Sequence, residues 1–205
     1  MARPLDVGGV MLAILMGVII NYFGGWQYLV LILSFFILAV FVTGYDHSTK
    51  REMGIYEHER GWENVLSNGL LPTILAVASS SYGPLPFIAA VAAVTADKFG
   101  SELGVLGGEP INLATLKPAK QGTSGAVSIM GFVVSLAGGT MIGFLAIFIF
   151  NLNPTQALLT GICGFFGSII DSLFGIFEEK GFGTKSITNF ICSGAWAIFG
   201  YVVIK

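Results

Sequence analysis

Apolar residues run in long blocks along this chain, and the polar residues are gathered into the gaps between them. A membrane-spanning helix needs about 20 apolar residues, with about 17 as a working minimum. Seven blocks reach or approach that length: 6–22, 26–44, 62–81, 84–101, 127–150, 156–177 and 187–204. The first is short, and the third carries Glu63, Asn64, Asn68 and Pro72. The expected architecture is therefore all-α: one integral membrane domain over residues 1–205, a polytopic bundle of about seven transmembrane helices, with six as the alternative.

The gaps alternate in character. Gly24-Gly25, Tyr82-Gly83 and the turn from Asn151 to Pro154 are short and uncharged. The stretch 45–61 carries Asp46, Lys50, Arg51, Glu52, Glu57, Glu59 and Arg60; 102–126 carries Glu102, Glu109, Lys117 and Lys120; 178–186 carries Glu178, Glu179, Lys180 and Lys185. With seven spans, all three charged stretches and Arg3 fall on one side of the membrane. Of ten Lys and Arg residues, only Lys205 falls on the other. The positive-inside rule then predicts a cytosolic N-terminus, three cytosolic loops and a C-terminus outside. Six spans would split the basic loops between the two faces. Arg3 precedes the first apolar block and no small-x-small cleavage site follows it, so a retained helix is expected rather than a removed signal.

Composition sharpens this picture. The chain is 54% hydrophobic and 11% charged, against about 25% charged in an ordinary soluble domain. No basic stripe points to nucleic acid. Cys163 and Cys192 lie in apolar blocks and are expected as reduced, packed thiols. Many of the 28 glycines lie inside spans, where small residues let backbones approach in lipid. Trp26, Trp62, Tyr22, Tyr28, Tyr45 and Tyr82 lie near predicted span ends, as an aromatic belt would. His47 and His58 fall in the first charged loop and are expected in solvent.

The informative residues are the polar ones inside the blocks. A charge in the bilayer costs ~2.5–3.5 kcal/mol on insertion scales, so such residues are functional candidates by default. Asp97 and Lys98 lie near the cytosolic end of the fourth span, Asp171 near that of the sixth, Asn68 near that of the third and Asn189 near that of the seventh. At 1.5 Å per residue all are within ~10 Å of one surface. Four spans thus supply polar groups at one depth, which predicts a cytosol-facing pocket with a lipid-accessible wall.

Carboxylates and amides without a buried histidine favour a hard cation with oxygen ligands, and Mg²⁺ fits, held by one or two carboxylates plus substrate phosphates. Asp97 and Glu102 are five residues apart, so about 140° apart on a regular helix. They share a face only if the helix ends between them, near Gly100 or Gly104. Lys98, Lys117 and Lys120 can offset phosphate charge, and Gly122-Thr123-Ser124-Gly125 offers N–H groups and hydroxyls just before a helix N-terminus. The spacing of a Walker A loop is absent. Each feature also has a plainer reading: a packed Asp97–Lys98 pair, a protonated Asp171 bonded to Ser168, Lys117 and Lys120 as positive-inside anchors, and 122–125 as a linker.

The run Ala96-Asp97-x3-Ser101-Glu102-x-Gly104, then Thr115-x-Lys117-Pro118, then Gly122-Thr123-x-Gly125-x2-Ser128-x2-Gly131, resembles the signature of a multi-pass membrane family that includes plant phytyl-phosphate kinase. Asn68-Gly69 and Gly167-Ser168-x2-Asp171-Ser172, followed by Asn189, add to it, and the likeness covers roughly residues 60–200. Two positions depart: Lys98 stands where a small or hydroxyl residue is usual, and Ser124 where asparagine is common. The resemblance implies transfer of the γ-phosphoryl group of a nucleoside triphosphate, CTP being one candidate, to a prenyl monophosphate such as phytyl or geranylgeranyl phosphate. It implies that Asp97, Glu102 and Asp171 bind magnesium nucleotide, and that Lys117, Lys120, Ser101 and the loop of Gly122, Thr123, Ser124 and Gly125 hold phosphates. Asn68 and Asn189 would complete the pocket.

Two other readings compete. A transporter or lipid flippase would use the same polar layer to pass an ion or head group, but transporter sites lie near the midplane and often between repeats. Here the layer is on one side, and Asp97-x2-Gly100 and Asp171-x3-Gly175 make no convincing repeat. A CTP-dependent cytidylyltransferase acting on a lipid phosphate would release pyrophosphate instead of a nucleoside diphosphate.

Overall fold

The computed structural model describes residues 5–54, 61–113, 115–123, 125–179, 194–195, 198–199 and 201–202. Eight α-helices organise them: α1 (Val7–Gly24), α2 (Trp26–Gly44), α3 (His47–Glu52), α4 (Trp62–Val77), α5 (Ser79–Tyr82), α6 (Leu85–Leu103), α7 (Ile129–Phe150) and α8 (Pro154–Glu179). By length and composition α1, α2, α7 and residues Pro154–Gly175 of α8 can each cross a membrane. The expected seventh span, 187–204, lies mostly outside the described residues.

Local chemistry sets the helix ends. Asp6 caps α1, accepting the Gly9 N–H at 2.6 Å, where a carboxylate also meets the positive end of the helix dipole. Gly25, at φ 93°, turns the chain directly into α2, a conformation that favours glycine. Asn151 ends α7 in the left-handed region at φ 55°.

The third block departs from expectation. One helix over 62–81 is predicted, but α4 stops at Val77 and the single turn α5 follows Ala78. Serines 79–81 compete for backbone hydrogen bonds and weaken helix continuation there. Within α4, Pro72 has no N–H to offer the Asn68 carbonyl four residues back.

The most enclosed helix is α6, packed by α2, α4, α7 and α8. Residues Phe87 to Val94 are 0–3% exposed. This explains why the helix with three charged residues sits inside a membrane bundle: most of its surface meets protein, not lipid. Small side chains permit the packing. A Cβ on Gly164 of α8 would come within 2.8 Å of the Ala92 carbonyl oxygen, and one on Gly139 of α7 within 2.8 Å of the Gly161 oxygen. Close backbone approach of this kind is how helices associate in lipid.

The contacts sort the connections onto two ends. At one end the Ser79 hydroxyl donates to the Phe23 carbonyl at 3.4 Å, and Tyr28 packs on Phe87 and Phe150 with ring centroids 4.7 and 5.1 Å apart. At the other, Thr43 and Lys50 reach Glu102, and Ser128 reaches Gly104. The stretches 45–54 and 102–126 therefore share an end, as their charges predict. Tyr28 corrects the aromatic-belt reading: it is 7% exposed and belongs to the core. Trp26, Trp62, Tyr22, Tyr45 and Tyr82 are exposed.

The loop after α6 has more structure than its polar sequence suggests. A 3-10 turn, Gly104–Leu106, is followed by β1 (Ile111–Asn112), which pairs antiparallel with β2 (Ala126–Val127) in the register Ile111–Val127 and Asn112–Ala126. The loop thus returns to its base before α7 begins.

Candidate functional site

At the charged end, Glu102 is the hub. Its Oε2 lies 3.0 Å from Lys50 Nζ, its Oε1 lies 2.7 Å from Lys98 Nζ, and the Thr43 hydroxyl donates to Oε1 at 3.3 Å. Lys98 and Glu102 are one helical turn apart on α6, the spacing at which such pairs meet. Lys50 also donates to the Val42 carbonyl at 2.8 Å and the Thr43 carbonyl at 3.2 Å. It therefore binds the last carbonyls of α2, where a cation is favoured. Lys50 is 2% exposed.

Sequence reasoning missed Lys50, which looked like one of several loop charges. The available signal was its position a few residues beyond the end of an apolar helix, within reach of that helix's orphan carbonyls. The short helix α3 makes the reach possible. Asp46 begins it in the left-handed region at φ 45°, accepting hydrogen bonds from the Ser48 and Thr49 hydroxyls at 3.2 and 2.9 Å. These bonds, led by the one from Thr49, hold the Asp46 carboxyl below its ordinary pKa.

Asp97 and Asp171 are half-buried on neighbouring helices. Between them stands a buried contact of small groups. The Ser135 and Ser168 hydroxyls are 3.1 Å apart, and a Cβ on Gly100 would lie 3.4 Å from Ser168 Oγ. Helices α6 and α8 run in the same direction. Counting three residues back from Gly100 and three forward from Ser168 separates Asp97 from Asp171 by about 9 Å along the bundle axis. On α6 the helix does not break between Asp97 and Glu102; it continues to Leu103. Among the described residues, no three His, Cys, Asp or Glu side chains form a group able to hold a metal ion. The donor set suits a cation that arrives with phosphate oxygens and takes one or two carboxylates, and does not suit an all-protein cage.

The other expected site residues spread around this layer. Asn68 is half-buried on α4 and donates to the Asn64 carbonyl at 2.7 Å. Ser101 is exposed, with its hydroxyl donating to the Lys98 carbonyl at 3.2 Å. Lys117, Lys120 and Gly122 are exposed in the loop. Thr123 takes part in a turn, its N–H donating to the Lys120 carbonyl at 3.2 Å, and the Gly125 carbonyl accepts from Leu113. Gly122 and Gly125 have φ of 80° and 74°, so glycine is needed at both. Ser124 and Asn189 lie outside the described residues.

The Ser128-x2-Gly131 part of the motif has a structural task. Ser128 caps α7, accepting the Gly131 N–H at 3.0 Å while its hydroxyl donates to the Gly104 carbonyl at 2.7 Å. A Cβ on Gly104 would lie 2.7 Å from Gly131 Cα. This hydroxyl fastens the turn after α6 to the start of α7, which fixes where the loop leaves and returns.

Comparison with known proteins agrees with this architecture. The profile of a family described as "Integral membrane protein DUF92" matches residues 1–198. The chain is 36% identical to an uncharacterised membrane protein of Methanocaldococcus jannaschii, over 98% of this chain and 87% of the relative. It is 28% identical to Protein PGR of Arabidopsis thaliana, over 84% of this chain and 71% of that protein. It is 22% identical to Protein VTE6, chloroplastic, from the same plant, over 90% of this chain and 60% of that protein. No solved structure matches.

Proposed function

The chain belongs to this integral membrane family, DUF92, and from that premise we propose that it is a membrane-embedded kinase. It would transfer the γ-phosphoryl group of a nucleoside triphosphate to a prenyl monophosphate. The observation that carries the reading is the layer of carboxylates and lysines at one end of a bundle whose remaining length is apolar. Such a site lets an isoprenoid chain stay in hydrocarbon while its phosphate meets a water-soluble nucleotide. The motif resemblance to the family that includes phytyl-phosphate kinase supports the same reaction.

A phosphate monoester is already an anionic nucleophile, so the reaction needs no strong base, and catalysis rests on positioning and charge neutralisation. A bond forms between an oxygen of the prenyl phosphate and the γ-phosphorus. The bond from that phosphorus to the β–γ bridging oxygen breaks, and the nucleoside diphosphate leaves with the electron pair. Magnesium supplied with the nucleotide would neutralise phosphate charge. Asp97 and Asp171, about 9 Å apart along the axis, would each take such an ion rather than share one, while Glu102 sets the position of Lys98 beside the reacting phosphates and the buried Lys50 anchors Glu102. Lys117, Lys120, Ser101 and residues 122–125, Ser124 among them, would bind the nucleotide phosphates from the loop. Asn68 and Asn189 would line the pocket. The positive-inside distribution supports a cytosolic position for this layer.

The test is incubation of purified protein with Mg²⁺, labelled nucleoside triphosphates and a panel of prenyl alcohols and monophosphates. Prenyl diphosphate and nucleoside diphosphate are the expected products. Pyrophosphate with a nucleotidyl lipid would identify a cytidylyltransferase. Absence of any turnover, with lipid or ion flux in proteoliposomes, would identify a transporter.

A further inference from the structure

Helices α1, α2 and α4 enclose a cavity of about 820 Å³ that the layer described above does not account for. Its lining follows α1 from Val10 to Tyr22. Those twelve residue steps are about 18 Å at 1.5 Å each, more than half of a hydrocarbon core of about 30 Å. The walls are apolar along most of this length. Val18 and Leu33, which line it, are also 62% and 48% exposed at the bundle surface. The cavity therefore opens sideways, toward what is lipid in a membrane.

Asn21 and Tyr22 are the polar residues at its uncharged end, whereas its one cationic group and most of its polar side chains lie at the charged end. Thr43 closes α2 there, Asn64 and Asn68 begin α4, and Lys98 comes from α6. The Lys98 ammonium lies 2.7 Å from Glu102. A long apolar trough that ends on amides and an ammonium matches one kind of molecule: a chain amphiphile with an anionic head. The placement of Lys98 explains the charge in the wrong solvent. It sits where the trough meets the carboxylate layer, and an ammonium carries three donors, enough to contact Glu102 and a phosphate oxygen together.

We propose that this cavity is the binding site of the isoprenoid chain of a lipid monophosphate, entered from the bilayer between α1 and α2, with Lys98 receiving the phosphate. The inference rests on the kinase reading for the identity of the chain, but binding and turnover are separate measurements.

The experiment uses the full chain in nanodiscs and a C20 prenyl monophosphate with a diazirine at the far end of the chain. Cross-links are expected on the α1 and α2 lining, around Val18 and Leu33. Unlabelled prenyl monophosphate should compete, while the prenyl alcohol and a two-chain phosphatidic acid should compete at least tenfold less well. Lys98→Met should lower labelling about tenfold, and Lys98→Arg should restore most of it. Gly17 lines the same cavity, and a Cβ there would meet only Leu29, at 3.6 Å. Gly17→Ala should label normally, while Gly17→Phe should lose C20 labelling and leave a C5 monophosphate bound. Cross-links on the outer faces of α7 or α8, or equal competition by phosphatidic acid, would overturn the proposal. Labelling in the cavity without phosphoryl transfer would keep the lipid site and reject the kinase. Transfer with labelling elsewhere would do the reverse.

Discussion

Lys50 and Glu102 lie 52 positions apart in sequence and meet at 3.0 Å, with Lys50 almost wholly buried. Through that pair the first charged loop is tied to the central helix. Removing one partner of a buried pair costs about 3–5 kcal/mol, because the other is left without compensation. Lys50→Met also strips the Val42 and Thr43 carbonyls of their donor. Its loss of stability is expected in that range, read as thermal unfolding in detergent. Lys50→Met combined with Glu102→Leu should cost less than the two single changes added together. A Lys50→Met protein as stable as the parent would reduce the pair to a surface contact.

Asp97 and Asp171 lead to a different expectation. Both are half-buried at the charged end, and neither joins a three-ligand metal group among the described residues. If they hold nucleotide-borne magnesium, Asp97→Asn and Asp171→Asn should each lower turnover by about 10²-fold or more, the scale of losing one electrostatic stabiliser at a reacting centre. The unfolding temperature should stay near that of the parent. Full activity in both variants would remove magnesium binding from these residues.

The long apolar helices were legible because hydrocarbon forces them: backbone groups in lipid must pair internally, so long apolar blocks read as helices. The alternation of charged and uncharged gaps likewise showed which connections share an end. Side-chain pairing was less legible. Lys50 and Arg51 are adjacent and chemically alike in sequence, yet Lys50 is buried and Arg51 is exposed. What separates them is the direction of a six-residue helix, which no periodicity announces. For Glu102, expected as a magnesium ligand, the i−4 partner Lys98 is visible in the sequence, whereas Lys50, from a separate loop, is not. Ser128 stands in the sequence only as a motif position, and only geometry shows it fastening Gly104 to α7.

Ser128→Ala tests that fastening. Losing an N-cap costs about 1 kcal/mol, and the Gly104 carbonyl loses the shorter of its two hydrogen bonds, worth about 0.5–1.5 kcal/mol, keeping the one from the Gly107 N–H at 3.3 Å. Stability should fall by about 1.5–2.5 kcal/mol, the two added. Ser128→Thr should recover most of it. Because Ser128 is 6% exposed and its hydroxyl is taken up by Gly104 and Gly131, the variant's nucleotide KM should move little once it is folded. A KM raised tenfold with unchanged stability would make Ser128 a ligand-binding residue instead.

The depressed pKa of Asp46 gives a pH dependence with a definite sign. Its carboxyl is held down first by the Thr49 hydroxyl, then by Ser48, the Thr49 backbone and the Lys50 charge, with burial opposing. A lowered folded-state pKa contributes stability that is fully present above the unfolded value of about 3.9. That contribution is lost as pH falls through the lower folded value. Thr49→Ala should raise the Asp46 pKa toward the ordinary carboxylate range, read from carboxyl carbon shifts in NMR titration. No change would mean that the hydroxyl does not hold the anion.

Orientation decides whether the proposed chemistry is possible, since a kinase layer must face the compartment that holds nucleoside triphosphates. Glu109 is exposed in the loop after α6, and Asn153 is exposed in the turn between α7 and α8. They mark opposite ends of α7. The one described cysteine, Cys163, is buried at 2% exposure, and a Cys192→Ser background removes the other thiol. In intact cells, a membrane-impermeant maleimide should label Asn153→Cys and leave Glu109→Cys unlabelled until the membrane is opened. The reverse pattern would put Glu102, Lys98 and the carboxylates on the outer face, away from the nucleotide pool. The kinase reading would then fail, whereas lipid binding in the α1–α2–α4 cavity would still stand as a separate question.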